Sequence, residues 1–247
     1  MALANRPLIT AHTGCEGTPD NSLISIDAAL ASGADVIEVD LRVSADGHPV
    51  LHHDSSFLDS AGREIRIAER SRSELAEGFQ TVATPPATLD QVLQRVVGDE
   101  IILNIDLKDV GGVRELWRQI GDFGLHQSVI FTGCDAAGAR FVNTTVPGAR
   151  VLLNVADGEL PESEQGYDQA VREICATAAA AGCCGLNVDY RRCRPELVTF
   201  ATRRFLPVSV WTVDHPDEMR RMYAMGVYAI TTRFPVRLGA VLSGKPE

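Results

Sequence analysis

The chain has 247 residues, of which 45% are hydrophobic and 23% charged. That length is near the ~250 residues of a (β/α)8 barrel and allows a core large enough to need neither disulfides nor a structural metal. The formal net charge of −10 argues against general nucleic-acid binding, which needs a basic face to displace counterions. It leaves room for a small phosphate-bearing substrate, because a bound cation reverses the local field.

The opening segment MALANRPLITAH has no basic region followed by a long apolar run, so no secretory leader is expected. No stretch nears ~20 uninterrupted apolar residues, so no membrane insertion is expected. Cys15, Cys134, Cys175, Cys183, Cys184 and Cys193 form no CxxC pair and read as free thiols of a cytoplasmic protein.

Short apolar runs then alternate with helical patterns. Strands are predicted at Leu8–His12, Val36–Leu41, Pro49–His53, Ile101–Leu107, Ser128–Thr132, Ala149–Val155, Gly185–Asp189, Val208–Val213 and Tyr228–Thr232. Helices are predicted at Ser22–Ser32, Leu89–Val97, Val113–Phe123, Asp135–Val146, Glu162–Ala181, Pro195–Phe205 and Pro216–Met225, with a short one after Pro235. This alternation implies βαβ units and a parallel sheet. Nine strands are one too many for an eightfold barrel. The extra one is Pro49–His53, which follows Val36–Leu41 after Ser44-Ala45-Asp46-Gly47, a hairpin signal that makes antiparallel neighbours. Residues 42–86 therefore read as an insertion after strand 2, and the barrel resumes at the helix that Thr88 caps. The expected architecture is one TIM-barrel domain over residues 1–247 with that insertion. Periodicity alone leaves a doubly wound open sheet as the competitor.

In a barrel, polar residues at the C-terminal strand ends carry the chemistry. His12 ends strand 1. Glu38 and Asp40 share one face of strand 2, with Ile37 and Val39 on the other. Asn104, Asp106 and Lys108 share a face of the next barrel strand. Three carboxylates converging on one mouth would be costly without a partner, and an oxygen-liking cation, Mg²⁺ or Ca²⁺, relieves that cost. A solvated strand face and a plain Asp106–Lys108 ion pair are the simpler readings of the same pattern. His53 closes the predicted hairpin, next to Asp54. Together His12 and His53 could divide the work of general base and general acid.

These residues carry a family pattern. Ala11-His12-Thr13-Gly14, Pro19-Asp20-Asn21-Ser22, Ala34-Asp35-Val36-Ile37-Glu38-Val39-Asp40, Asp46-Gly47 and His53-Asp54 follow in order. They resemble the HRG, PENT, GAD-x-IE-x-D, DG and HD motifs of the glycerophosphodiester phosphodiesterase family. Ala83–Leu89, Ile105-Asp106-Leu107-Lys108, Trp211-Thr212-Val213-Asp214 and Gly226–Thr232 extend the resemblance over nearly the whole chain.

The resemblance implies a TIM barrel with a small insertion. It implies catalysis by His12 and His53, and metal binding by Glu38, Asp40 and Asp106. Lys108 and Thr13 would meet the phosphate, and Trp211 would line the pocket for the alcohol, with plain core packing as its simpler reading. The implied reaction is metal-dependent hydrolysis of a small glycerophosphodiester to an alcohol and glycerol 3-phosphate. Lysophospholipase D-like or phosphoinositide-type activity is the first alternative, with Phe57, Leu58 and Phe79 as an apolar rim. A catalytically silent phosphodiester-binding module is the second. Oligomeric state is left open.

Three departures bear on the phosphate grip rather than on the reaction type. Thr13 stands where arginine is usual, and threonine offers no bidentate clamp. Asp20 and Asp106 stand for glutamates, and Thr232-Arg233 stands where an aspartate is usual. The grip is then expected to be shared by the metal, Lys108 and the backbone of residues 14–17.

Overall fold

The structure, a computed structural model, describes residues 6–244. Residues 1–5, the start of the segment read for a leader, lie outside them.

The elements in chain order are β1 (Leu8–Ala11), α1 (Leu23–Ala31), β2 (Val36–Val43), β3 (Pro49–Leu51), β4 (Ser56–Leu58), β5 (Glu64–Arg66), α2 (Arg72–Phe79), α3 (Leu89–Val96), β6 (Ile102–Leu107), α4 (Val113–Asp122) and β7 (Val129–Thr132). They continue with α5 (Ala136–Thr145), β8 (Leu152–Asn154), α6 (Tyr167–Ala180), β9 (Gly185–Asp189), α7 (Pro195–Thr202), β10 (Val208–Trp211), α8 (Pro216–Met225), β11 (Ala229–Thr232) and α9 (Pro235–Leu242).

Local chemistry starts these helices where it should. Ser22 and Asp135 accept hydrogen bonds from Ser25 N and Gly138 N at the starts of α1 and α5. Thr88 and Gln91 form a reciprocal capping box on α3. Pro195, Pro216 and Pro235 begin α7, α8 and α9, where a missing N–H costs nothing.

Around the sheet the order is β7, β6, β2, β1, β11, β10, β9, β8, all parallel. Phe131 bridges Val151 between β7 and β8, with Phe131 N 2.8 Å from Arg150 O. The ring of eight strands thus follows chain order all the way round. A doubly wound sheet would reverse that order at a switch point, so the barrel holds and the open-sheet alternative falls. Apolar side chains of the strands and of the surrounding helices form one large core cluster.

β3 pairs antiparallel with the end of β2, Leu41 opposite Leu51 and Val43 opposite Pro49. β2 itself runs on to Val43. The β4–β5 hairpin and α2 follow, neither expected from sequence. They pack on a small separate core of Val50, Ile67 and Leu75. Phe57 and Phe79 stack on each other there, ring centroids 4.4 Å apart. Of the three apolar residues expected as a lipid-facing rim, Leu58 alone is largely exposed. Several boundaries differ: β3 ends at Leu51, short of His53, β8 spans only Leu152–Asn154 and β10 ends at Trp211. α6 starts at Tyr167 instead of Glu162, because Gly166 turns left-handed at φ 82° just before it. α7 stops at Thr202, and Phe205 takes φ 59°. Among the described residues no helix is long and apolar enough to cross a membrane.

Candidate active site

Strand registers bring the polar residues to one mouth. Glu38 on β2 pairs with Asn104 on β6, and Asp40 pairs with Asp106. Asp106 pairs in turn with Thr132 on β7. Thr10 on β1 aligns with Val36, so His12, two residues on, comes beside Glu38. Ligand oxygens of Glu38, Asp40 and Asp106 all lie within 4.8 Å of one another.

Each carboxylate is held by neighbours. Glu38 Oε2 accepts from Thr13 N at 2.8 Å. Asp40 Oδ2 accepts from Asn21 Nδ2 at 2.9 Å. Thr132 Oγ1 lies 2.7 Å from Asp106 Oδ1 and 3.0 Å from Asn104 Oδ1, its one proton shared between two acceptors. Gly133 closes over this strand end at φ 81°, and a Cβ there would sit 2.5 Å from Leu107 O and 2.9 Å from Asp106 Oδ1. Only glycine allows that approach.

Lys108 Nζ sits between two of the carboxylates, 3.0 Å from Asp40 and 2.5 Å from Asp106. Burial lowers its pKa, but the two carboxylates outweigh burial and the net direction is up. Glu38 is pushed well above the usual carboxylate range, first by burial and then by Asp40 and Asp106. One ammonium therefore does not neutralise three converging carboxylates. Their all-oxygen set and close spacing fit a hard divalent cation, whose bonds to oxygen run ~2.0–2.6 Å.

His12 is largely buried. Its Nδ1 lies 2.6 Å from Thr13 O and 3.9 Å from Glu38 Oε2. Burial lowers its pKa, the Thr13 carbonyl opposes that, and Arg233 lowers it further. Thr13, expected to face the phosphate, is turned inward. It is 3% exposed, and its hydroxyl accepts from Asn21 N at 2.5 Å.

His53 lies in the insertion. His52 N donates to Asp40 O at 3.2 Å, which ties the segment to the carboxylate strand. Arg42 donates to His53 O at 2.8 and 3.0 Å. The His53 ring is 59% exposed, its Nδ1 2.8 Å from Asp54 Oδ1. Among the described residues no hydrogen bond joins that ring to His12 or to the three carboxylates. His53 is therefore anchored by its backbone, with a solvent-facing ring. Trp211 ends β10 opposite Asp189 of β9, and its buried Nε1 has no hydrogen-bond partner.

The rim is completed by residues that sequence reasoning did not single out as site residues. Asp189 is 5% exposed and forks onto Arg191. Asn154 accepts from Gly133 N and Asn187 Nδ2. Asn21 was visible as part of the Pro19–Ser22 motif. Thr132 was visible as the last residue of a predicted strand.

This geometry meets a matching family. The sequence profile of the glycerophosphoryl diester phosphodiesterase family matches residues 12–237. The chain belongs to that family. A relative from Mycobacterium tuberculosis, named "Probable glycerophosphodiester phosphodiesterase 1", is 43% identical, with 97% of this chain and 94% of that one covered. Among solved structures, a glycerophosphodiester phosphodiesterase from Parabacteroides distasonis superposes with a TM-score of 0.79 at 24% identity, covering 97% of this chain and 98% of that one. An Oleispira antarctica phosphodiesterase, solved in complex with the product sn-glycerol-3-phosphate, superposes with a TM-score of 0.75 at 20% identity, covering 96% and 97%. At such identities the two structures speak for the fold alone. The glycerophosphoryl diester phosphodiesterase family is a family of phosphoric diester hydrolases.

Proposed function

We propose that this chain hydrolyses glycerophosphodiesters to an alcohol and glycerol 3-phosphate, using a divalent cation, Mg²⁺ or Ca²⁺, on Glu38, Asp40 and Asp106, and His12 with His53 as the proton-moving pair. The observation that carries this reading is the carboxylate triad within 4.8 Å beside a buried histidine 3.9 Å from Glu38. A bound cation supplies Lewis-acid stabilisation of charge at the phosphoryl oxygens.

The protein's own residues supply the proton chemistry. A carbonyl can only accept, so His12 Nδ1 carries the proton in its 2.6 Å contact with Thr13 O. That leaves Nε2 of the neutral ring as a base. It takes a proton from water as that oxygen attacks phosphorus; if a neighbouring substrate hydroxyl attacks instead, a cyclic phosphate forms and water then opens it, the histidines exchanging the roles of base and acid. The bond from phosphorus to the departing alcohol oxygen breaks, and His53 returns a proton to that oxygen. Asp54, 2.8 Å from His53 Nδ1, balances the imidazolium that does so. Lys108 bridges Asp40 and Asp106 and would offer its remaining ammonium donor to a phosphoryl oxygen. Trp211, at the end of β10, would line the pocket for the alcohol with its ring, its indole N–H being itself buried.

The test is hydrolysis of sn-glycero-3-phosphocholine, sn-glycero-3-phosphoethanolamine and bis(p-nitrophenyl) phosphate, before and after chelation. Activity that EDTA removes and Mg²⁺ or Ca²⁺ restores is expected, with glycerol 3-phosphate as product. Full activity after exhaustive chelation, or no turnover of any glycerophosphodiester, would sink the proposal.

A further inference from the structure

We propose that Arg233, at the end of the last barrel strand, grips the phosphate of the substrate beside His12. This rests on the reading of the mouth as a phosphodiester site.

Register puts the two residues together. Thr10 of β1 aligns with Thr231 of β11, and Ala11 with Thr232. His12 N donates to Thr232 O at 2.9 Å. Thr10 and Thr231 both line the barrel lumen. Side chains alternate along a strand, so His12 and Arg233 are the next inward positions on adjacent strands. Register and alternation therefore direct both side chains toward the mouth.

Two other cations near the mouth already have close carboxylate partners. Lys108 is held by Asp40 and Asp106. Arg191 turns its Nε and a terminal amine onto Asp189. Thr13 has no charge, and its hydroxyl is committed to Asn21. The Arg233 side chain is 49% exposed and, among the described residues, its carboxylate partner is Asp214 at 3.4 Å. Most of its fork remains available.

Its backbone is pinned. Asp214 Oδ1 accepts from Arg233 N at 2.8 Å, and from Thr232 Oγ1 at 3.1 Å. Glu16 N donates to Arg233 O at 2.8 Å. A guanidinium delivered from fixed backbone matches the paired non-bridging oxygens of a phosphodiester monoanion, which a lysine would meet only as a point charge.

The experiment measures binding of glycerol 3-phosphate by calorimetry in the presence of Mg²⁺, with kinetics on sn-glycero-3-phosphocholine, for wild type, Arg233→Gln and Arg233→Lys. Losing charge-assisted hydrogen bonds should raise the Kd and KM of Arg233→Gln by about 10- to 100-fold. Arg233→Lys should fall between, and added ethylguanidinium should restore part of the Gln variant's affinity, a rescue that no structural role predicts. Melting curves should superimpose. An active wild type whose glycerol 3-phosphate affinity changes less than twofold in Arg233→Gln overturns the role of Arg233 and leaves hydrolysis standing. A wild type that is inactive yet binds glycerol 3-phosphate through Arg233 overturns hydrolysis and supports the grip. A wild type that does neither overturns both.

Discussion

Asn21 and Asp40 exchange hydrogen bonds in both directions. Asn21 Nδ2 donates to Asp40 Oδ2 at 2.9 Å, and Asp40 N donates to Asn21 Oδ1 at 2.9 Å. Asn21 holds this pose at φ 52°, a left-handed conformation that asparagine tolerates. The loop after β1 is thereby locked to the strand that carries two of the carboxylates. Asn21→Asp keeps the shape and replaces the amide donor with a like charge. It should weaken Mg²⁺ or Ca²⁺ dependence of activity by about 10- to 100-fold, the usual cost of losing a residue that orients a metal ligand. A metal titration identical to wild type would remove Asn21 from that role.

The two histidines should fail separately and in combination. Each well-placed acid or base contributes ~10²–10⁴-fold. His12→Ala and His53→Ala should each lose that much in kcat. The exposed His53 ring should leave the melting temperature unchanged, whereas loss of the largely buried His12 ring should lower it slightly. A His53→Ala enzyme at wild-type rate would move the acid role elsewhere in the insertion.

Burial holds His12 below its ordinary value, with Arg233 adding to that and Thr13 O opposing it. A base must be neutral, so activity should fall as pH drops through the His12 pKa. The acidic limb of kcat/KM should therefore turn over below ~6.5. Removing a positive neighbour raises a histidine pKa, so Arg233→Gln should move that limb upward. A wild-type limb above ~6.5, or one that Arg233→Gln shifts down, contradicts the assignment.

Gly133→Ala tests the strand end behind Asp106. The new Cβ would meet Leu107 O at 2.5 Å and Asp106 Oδ1 at 2.9 Å, in a backbone at φ 81°. Stability should drop by at least ~1 kcal/mol, with a matching loss of metal affinity as Asp106 is displaced. Denaturant unfolding and metal titration check the two effects independently. Wild-type metal affinity in a destabilised variant would show that Asp106 has room to move.

What the sequence determined by itself is local. The alternation of Val36-Ile37-Glu38-Val39-Asp40 put two carboxylates on one face because strand side chains repeat every two residues. Asp46-Gly47 announced the β2–β3 hairpin, and Thr88 announced α3, because turns and caps are decided within a few residues. The capping box of α2, Ser71 with Glu74, is equally local, but its eight-residue helix packs on a small separate core and carries little apolar periodicity to mark it.

The tertiary structure decided what depends on pairing between distant segments. Closure of the ring at Phe131 and Val151 separates a barrel from an open sheet with the same periodicity. Register sets Thr132 against Asp106, turns Thr13 inward to bind Asn21, and places Arg233 next to His12, more than 200 residues away in the chain. Strand register is fixed by which buried faces pair and by how the ring closes, and neither is a property of any one segment.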